Sequence, residues 1–245
     1  MDSGYYAACT ALIARTQALD TIANNMANAS TVGYRAQNNL FSSILANAGH
    51  EPSGALNQAI NNYGILSGTK LDFGQGALQK TGNSLDMAIQ GNGFFVVQTA
   101  NGPMYTRDGG FKVSAQGQLT TQSGDAIMGD KGVISLPPGS TPTVSPDGTI
   151  SENGAVIGKL KLVNFGAGAN VTSVGEHYYT APAASVTADT TSTVQQGAIE
   201  SSNVNPIQSM VELVDAQRSA EMMQRALAMF NSEIDKTATQ DLPKV

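Results

Sequence analysis

Residues 211–234 read VELVDAQRSAEMMQRALAMFNSEI, and the spacing of their apolar side chains decides the structure of the C-terminal segment. Apolar residues recur there in steps of three and four, which is the heptad pattern of an α-helix with one apolar seam. Such a seam needs a partner helix or a domain surface to cover it. The predicted seam consists of Leu213, Ala216, Ala220, Met223, Leu227, Phe230 and Ile234.

This C-terminal helix is predicted to run from about residue 206 to about residue 236. Asn205 can cap its N-terminus, Pro206 suits the first helical position, and Gln208 can reach back to the cap. Acid–base pairs one turn apart are expected on the opposite, exposed face. These pairs are Asp215 with Arg218 and Glu221 with Arg225.

The glycines of the chain separate helical ends from a β-rich centre. Of 26 glycines, only Gly4 lies outside residues 33–197. A glycine inside a helix costs about 1 kcal/mol relative to alanine, whereas turns with positive φ prefer it. We therefore predict an N-terminal helix from about residue 4 to 28. Its apolar positions at helical spacing are Ala8, Leu12, Leu19, Ile22, Met26 and Ala27.

The centre of the chain is predicted to be an antiparallel β-domain. Short apolar runs alternate there with Asn-Gly and Asp-Gly pairs, which favour hairpin turns. Lys159 to Leu162 alternates as a half-buried strand. Hairpins are expected at Gly91-Asn92-Gly93, Asn101-Gly102, Asp108-Gly109, Asp147-Gly148 and Asn153-Gly154.

The predicted fold class is α+β, with long terminal helices forming a coiled coil and a central antiparallel all-β domain. The expected divisions are residues 1–35 for the N-terminal helix and 36–79 for an extended connector. Residues 80–197 are assigned to the β-domain and 198–245 to the heptad helix. One short helix is predicted inside the connector, at residues 37–47.

Composition argues against several classes of partner. Only 13% of residues are charged and the net charge is −6, so no basic cluster favours nucleic acid. No run approaches the roughly 20 apolar residues of a membrane span, so no membrane insertion is expected. The first residues carry Asp2 in place of a basic n-region, which predicts either a cytoplasmic protein or export without a cleaved signal peptide.

No catalytic, metal or cofactor site is predicted. His50 and His177 have no companions at metal-ligand spacing, and Cys9 lies among alanines as a small buried residue would. A hydrolytic or carbohydrate-binding β-domain acting on peptidoglycan is the alternative, because such enzymes need paired carboxylates. The candidate carboxylates are Asp86, Asp108, Asp125, Asp130, Asp147 and Glu152.

Three stretches together resemble the bacterial flagellar basal-body rod proteins. The first runs from Ile22 to Arg35 and contains Asn-Asn-Met-Ala-Asn and Gly-Tyr-Arg. The second runs from Gly76 to Gly109 and contains Thr-Gly-Asn-Ser-Leu-Asp-Met-Ala-Ile, Gly-Asn-Gly-Phe-Phe-Val-Val and Tyr-Thr-Arg-Asp-Gly. The third surrounds Val211 to Arg218. The resemblance is specific to the rod-and-hook group and is weak over residues 133–195.

The resemblance implies a structural subunit whose terminal helices pair and polymerise into the hollow axial shaft. Its partners would be further copies, other rod proteins and the flagellar type III export apparatus, and its place the periplasmic rod. Chain length argues against a hook-type protein. The proximal-rod type is favoured over the distal-rod type because residues 48–75 do not match the additional segment of the distal-rod type and the tail at residues 230–245 departs from its pattern. The terminal regions of the family generally order only on assembly.

The resemblance also implies subunit contacts by residues of the first motif and the seam. From the residues alone, residues 23–35 are interpreted as a helix end followed by a loop. That interpretation is compatible with the subunit contacts that the resemblance implies. Besides the seam residues, the expected contact residues are Leu12, Leu19, Ile22, Asn24, Asn25, Met26, Asn28, Gly33 and Tyr34.

Overall fold

The computed structural model describes residues 2–42, 65–137, 139–166, 168–175 and 177–240. Side chains within these ranges are described for residues 9–38 and 70–229. The chain divides into two compact units. Unit 1 comprises Met1–Met26, Gln37–Lys70 and Asn205–Val245, and unit 2 comprises Ala27–Ala36 and Leu71–Val204.

Unit 1 contains the two long helices and a pair of strands. Helix α1 spans Asp2–Ala27 and helix α2 spans Pro206–Gln240, so both terminal helices are confirmed. Strand β1 (Gln37–Ser42) pairs with β2 (Ile65–Leu71). The short helix predicted at residues 37–47 is wrong for residues 37–42, which are extended, and its remainder lies outside the described residues. Neither helix, over the part of the chain described, is apolar enough for its length to cross a membrane.

The predicted cap of α2 is present. The side-chain oxygen of Asn205 accepts hydrogen bonds from the backbone N–H groups of Ile207 and Gln208, at 3.1 and 3.3 Å. These bonds satisfy donors that have no partner within the helix. The Gln208 side chain does not return to the cap, because its Nε2 donates to Glu212 Oε1 at 2.9 Å.

Of the two acid–base pairs predicted on α2, one forms. Arg225 Nη2 lies 3.9 Å from Glu221 Oε2. Asp215 and Arg218 form no ion pair with each other, although both side chains are described. They are three residues apart, so their side chains differ by about 60° around the helix axis, compared with about 40° for residues four apart such as Glu221 and Arg225.

Unit 2 is built from strands whose observed pairings are all antiparallel, which confirms the α+β class. The strands are β3 (Leu78–Lys80), β4 (Met87–Gln90), β5 (Phe94–Thr99), β6 (Gly102–Thr106), β7 (Lys112–Val113), β8 (Leu119–Thr120), β9 (Ala126–Gly129), β10 (Gly132–Val133), β11 (Thr143–Val144), β12 (Thr149–Glu152), β13 (Ala155–Lys159), β14 (Leu162–Phe165), β15 (Thr172–Val174), β16 (Tyr178–Thr180), β17 (Val186–Ala188), β18 (Thr193–Gln196) and β19 (Ala198–Glu200).

The largest sheet has the order β15-β16-β6-β5-β9-β8-β7. In addition, β10 pairs with β9, and β14 pairs with both β5 and β17. A three-stranded sheet has the order β11-β12-β13, and two further pairs are β4 with β18 and β3 with β19.

Strand β5 separates two hydrophobic cores. Phe95 and Val97 point into one core, and Phe94 and Val96 point into the other. All four side chains are buried, so β5 is covered on both faces. An uninterrupted apolar run is the expected sequence for such a strand, whereas a strand with one solvated face alternates. The alternation predicted for Lys159 to Leu162 is confirmed, with both leucines buried and both lysines exposed.

Three predicted hairpins are confirmed. β5 and β6 are joined at Asn101-Gly102, β11 and β12 at Asp147-Gly148, and β12 and β13 at Asn153-Gly154. Asn153 and Gly154 have φ values of 49° and 84°. Two consecutive residues with positive φ are what a type I′ turn requires, which is why Asn-Gly occurs there.

Two predicted hairpins are wrong. The turn at residues 91–93 links β4 to β5, yet β4 pairs with β18 while β5 pairs with β6, β9 and β14. The turn at residues 108–109 links β6 to β7, which belong to the same sheet without pairing. Gly109 is instead needed for a close backbone approach, since a Cβ there would lie 1.6 Å from the Met87 carbonyl oxygen.

The division between the units differs from the predicted domain boundaries. Residues 27–36, 71–79 and 198–204 belong to unit 2 and not to the terminal helices or the connector. Strand β19 pairs with β3, and the Gly33 N–H donates to the Glu200 carbonyl at 2.8 Å. Hydrogen bonds between segments distant in sequence therefore set these boundaries.

Candidate functional site

Helix α1 buries small side chains. The most buried positions recur in steps of three and four, and the larger apolar residues predicted to form the buried face are only half-buried. The predicted line is one residue out of phase with the buried one, because close packing along a helix selects small residues that a search for large apolar ones overlooks. The buried line of α1 consists of Ala11, Ala14, Ala18, Thr21 and Asn25, and the half-buried residues are Leu12, Leu19, Ile22 and Met26.

Helix α2 has its predicted seam as its least exposed line. Ala220 is buried, and Leu213, Ala216, Met223 and Leu227 are half-buried. Phe230 and Ile234 lie within the α2 backbone, but their side chains are outside the described residues.

Unit 1 contains a cleft lined by α1, β1 and α2. Its volume is about 520 Å³, and its walls include small residues from both helices, such as Ala18 and Ala216. The remaining lining is largely polar and includes Arg15 on α1 and Glu212 on α2. The cleft therefore presents charge of both signs beside the small side chains of the two helices.

Asn25 acts inside the chain. Its Nδ2 donates to the Gln37 carbonyl at 2.8 Å, and its Oδ1 accepts from the Gln37 N–H at 2.9 Å. This paired contact fixes the end of α1 to the start of β1 within unit 1. Asn24, next to it, is exposed, and its Nδ2 donates to the Asp20 carbonyl one turn earlier. Asn28 is half-buried and accepts from the Thr31 hydroxyl at 3.1 Å, as a turn residue does.

A second apolar line on α2 is exposed, and the sequence analysis did not identify it. At 100° per residue these positions fall on the side of the helix opposite the seam. α2 is therefore apolar on two opposite sides, of which the described structure covers one. We call this second line the outer line of α2; its apolar members, with exposed fractions, are Ile207 (79%), Val211 (58%), Val214 (40%), Met222 (63%) and Met229 (65%).

Unit 2 contains a buried ion cluster that we call the joint cluster, formed by Arg35, Arg107 and Glu200. Arg35 Nη1 lies 2.7 Å from Glu200 Oε1, and Arg107 Nη1 lies 3.0 Å from Glu200 Oε2. All three side chains are almost completely buried. A buried carboxylate shared by two guanidiniums is stable only when further hydrogen bonds complete its surroundings.

Backbone groups and an aromatic ring supply part of those surroundings, while Arg35 Nε, Arg35 Nη2 and Arg107 Nε are buried without a hydrogen-bond partner among the described residues. Arg107 Nη2 donates to the Gly91 carbonyl at 2.6 Å, and Arg35 Nη1 donates to the Gly74 carbonyl at 2.8 Å. The Arg107 guanidinium also lies 4.8 Å from the centre of the Phe94 ring, within cation–π range. Burial lowers the pKa of Arg107 to about 10, while the Glu200 carboxylate opposes that shift.

The joint cluster connects segments that adjoin the helices in sequence. Residues 33–36 follow α1, and residues 200–203 precede α2. Tyr179 supports the first segment, because its hydroxyl accepts from the Arg35 N–H at 2.9 Å and donates to the Gly33 carbonyl at 3.2 Å. Burial raises the pKa of the Tyr179 hydroxyl, so it stays protonated as a donor. Asn203 links the two segments, since its Oδ1 accepts from the Ala36 N–H at 2.7 Å.

Gly33 and Tyr34 are therefore buried within unit 2, and their expected contacts with other subunits stay a prediction. Tyr34 is 3% exposed. Gly33 has φ +70°, and a Cβ there would lie 2.3 Å from the Asp108 backbone nitrogen. The family motifs in the sequence include Arg35 and Arg107, but the sequence analysis did not identify Glu200 as their shared partner. The available signal was Glu200, a charged residue beside the apolar Ala198 and Ile199 in a chain with few charges.

Four of the six candidate carboxylates have structural partners. Asp108 accepts from the Gly110 N–H at 2.9 Å, and Asp147 accepts from the Thr149 hydroxyl at 2.7 Å. Asp125 accepts from the Tyr178 hydroxyl at 2.7 Å, and Asp86 accepts from the Asn83 amide at 3.0 Å. Within the described ranges, no three His, Cys, Asp or Glu side chains are grouped as a metal site would require.

Family models match three parts of the chain. The model described as flagella basal body rod protein matches residues 6–35. The model described as flagellar hook protein FlgE/F/G D1 domain matches residues 88–157. The model described as flagellar basal body rod FlgEFG protein C-terminal matches residues 195–240. The matches thus include both helices, the joint cluster and the first part of the β-domain.

Relatives match over nearly the whole chain. The flagellar basal-body rod protein FlgF of Mesorhizobium japonicum is 34% identical over 97% of this chain and 98% of its own length. FlgF of Salmonella typhimurium is 35% identical, covering 93% of each chain. The rod protein FlgG of Buchnera aphidicola subsp. Baizongia pistaciae is 33% identical over 96% of this chain and 95% of its own length.

Two long terminal helices with apolar lines, and a central β-domain between them, are the features of a structural subunit. The comparisons make this class specific. The chain belongs to the family of flagellar basal-body rod proteins, which are structural subunits of the flagellar rod.

Proposed function

We propose that this rod subunit polymerises through its terminal helices into the hollow axial shaft of the flagellum, at the proximal end of the rod. The observation that carries the polymerisation is the distribution of exposed apolar side chains. Among the side chains that the structure describes, ten large hydrophobic ones are exposed; seven of these lie on α1 and α2, and six of those seven lie on α2. Apolar side chains concentrated on one element mark a surface that another protein covers.

The arrangement of unit 1 favours pairing of the helices within a subunit as well. The buried line of α1 and the seam of α2 both repeat in steps of three and four, as coiled-coil helices do. Both helices line the same cleft, with alanines on each wall. We propose that the two helices form a coiled coil in the assembled rod, where neighbouring subunits cover what the single chain leaves open.

The proposed position at the proximal end of the rod is supported by the type of rod protein to which the chain is similar. FlgF proteins from several bacteria match this chain over 93% or more of both lengths, and FlgG proteins match at similar identity. We favour the FlgF type because the residues after the N-terminal region do not clearly contain the additional segment of the distal-rod type. A distal-rod or hook-type position is the alternative.

The proposed partners are further copies of the chain, other rod proteins and the flagellar type III export apparatus. The proposed location is the periplasmic part of the basal body. The residues that form α1 include the buried line of that helix, so the assembled subunit needs them. We therefore propose export in which the segment that forms α1 is retained.

The polymerisation is tested by placing charges on α2 in a strain whose own copy of this gene is deleted. Met222→Glu places a carboxylate on the outer line without changing the seam. We expect the variant to be produced and exported, to be missing from purified basal bodies, and to leave the rods arrested and the cells non-motile.

The matched control is Val156→Glu, which places the same charge at a 70% exposed position of unit 2. We expect this variant to enter basal bodies like the unaltered chain. If Met222→Glu entered basal bodies as well as Val156→Glu does, assembly through the terminal helices would be rejected. Proximal and distal positions are distinguished by which rod proteins remain in the basal bodies of the deletion strain.

A further inference from the structure

The side of α1 opposite its buried line carries one acid, one large apolar residue and three small side chains. At 100° per residue these positions form a single row along the helix, spaced in steps of four and three. Cys9 is half-buried, and the others are exposed, Ile13 to 59%. We call this row the outer line of α1; it consists of Cys9, Ile13, Thr16, Asp20 and Ala23.

The outer line of α2 is complementary to it in charge. It has five large apolar members against the single Ile13 of α1, and Arg218 and Arg225 fall in the same row, at the same steps of three and four. Neither Asp20 nor Arg218 forms an ion pair with another residue of the described ranges. One outer line therefore has mainly small side chains with a carboxylate, and the other has large side chains with guanidiniums.

We propose that the outer line of α2 binds the outer line of α1 of a second copy of this chain, with Asp20 of that copy paired to Arg218. This inference rests on the proposed function and specifies which faces meet in the polymer. A charged pair covered by apolar neighbours is well placed to fix the register of two helices.

Contact between two α2 outer lines is the less favourable arrangement. It would bring Arg218 and Arg225 of one copy beside the same residues of the other, and like charges repel. It would also join identical surfaces, and such an isologous contact closes into a dimer. Contact between α1 and α2 joins two different surfaces, so each added copy still presents one unused surface and growth can continue.

A charge reversal tests the pairing in the full-length chain in the deletion strain. We expect Asp20→Arg and Arg218→Asp each to lower the amount of subunit in basal bodies by at least about tenfold, because each sets like charges against each other. The double variant restores opposite charges between copies, and we expect it to regain most of the lost incorporation. Asp130→Arg on an exposed turn of unit 2 is the matched control.

Cysteine crosslinking tests the same contact independently. Cys9 lies eleven residues before Asp20, and Ile207 and Met229 lie eleven residues to either side of Arg218. With Asp20 opposite Arg218, we expect Cys9 to crosslink to a cysteine at one of these two positions, Ile207→Cys or Met229→Cys. Gln224→Cys, exposed and about 100° away from the outer line, is the control and is expected to remain uncrosslinked.

The outcomes separate this inference from the proposed function. If Met222→Glu blocks incorporation but the double charge variant stays as poor as the single ones, polymerisation through the helices stands and the Asp20–Arg218 pairing falls. Full incorporation of either single variant also overturns the pairing, as does crosslinking of the outer line of α2 only to a different rod protein. If the unaltered chain is missing from basal bodies, the proposed function itself fails.

Discussion

Glu200 and Arg35 form a fully buried ion pair, with 2.7 Å between Oε1 and Nη1, although 164 residues separate them in the chain. The same carboxylate group meets Arg107 through its other oxygen. One acidic side chain therefore holds the segment after α1, the segment before α2 and a central loop of unit 2 in one place. The cluster thus gives Arg35 and Arg107, which belong to two of the family motifs, a common buried partner.

Replacing Glu200 by glutamine is expected to destabilise unit 2 by about 3–5 kcal/mol, because two buried guanidiniums lose their counter-charge. Urea unfolding followed by tyrosine fluorescence measures the change, since the chain contains no tryptophan. Glu152→Gln, in a hairpin, is the control and is expected to change stability by less than about 0.5 kcal/mol. Equal stability of the two variants would show that the joint cluster contributes little.

Gly33 and Gly82 provide a matched pair for testing the close backbone approach between Gly33 and Asp108. Both have positive φ, +70° and +76°, but a Cβ at Gly82 meets nothing within 4 Å. Gly82→Ala is expected to cost about 1 kcal/mol, the usual cost of left-handed backbone for a residue with a Cβ. Gly33→Ala adds a clash with the Asp108 backbone nitrogen and should cost clearly more, as measured by thermal unfolding. Similar melting temperatures for both variants would show that the close approach of Gly33 to Asp108 adds no cost.

Asn25 is expected to stabilise unit 1 in the isolated chain. Asn25→Ala removes both hydrogen bonds to Gln37 and leaves the N–H and the carbonyl of this half-buried residue without that partner, at about 1–3 kcal/mol. Hydrogen exchange should show faster exchange of the Gln37 amide and of the last turn of α1. Asn24→Ala, at an exposed helical position, is the control and should leave exchange unchanged. Unchanged protection in Asn25→Ala would contradict the stabilising role within the chain and favour the expected role of Asn25 in a contact between subunits.

Asp108 gives a pH dependence of defined sign. Burial raises its pKa above the usual 3.8, with the Gly110 N–H bond opposing the shift. The folded state therefore binds the proton more tightly, so stability falls as pH rises from 3.8 through the raised pKa. Asp108→Asn keeps an oxygen for Gly110 and is expected to be more stable than the unaltered chain at pH 7.

The gain from Asp108→Asn should disappear near pH 3, where the carboxyl group is protonated in both folded and unfolded chains. Urea unfolding at the two pH values measures it. Asp130→Asn, on an exposed turn, is the control. A gain of the same size at both pH values would mean that ionisation of Asp108 is not its cause.

Local features of the sequence predicted what depends on neighbours along the chain. The Asn205 cap, the seam of α2 and the Asn153-Gly154 turn follow from bonds and dihedral angles within a few residues, so they could be read without tertiary information. The turn at residues 91–93 has equally good local chemistry and yet joins two different sheets. Which strand lies beside β4 is a long-range matter, decided by β18 about 100 residues later.

The sequence by itself determined that the ends are helices, that the centre is antiparallel β-structure and that the chain resembles the rod proteins. Those properties rest on periodicity, glycine placement and motifs. The tertiary structure alone decided that Ala11, Ala14 and Ala18 are buried in place of the larger residues beside them, and that Arg35 and Arg107 share Glu200. Burial and ion pairing depend on which distant segments come close, and a pattern along one chain does not specify those distances.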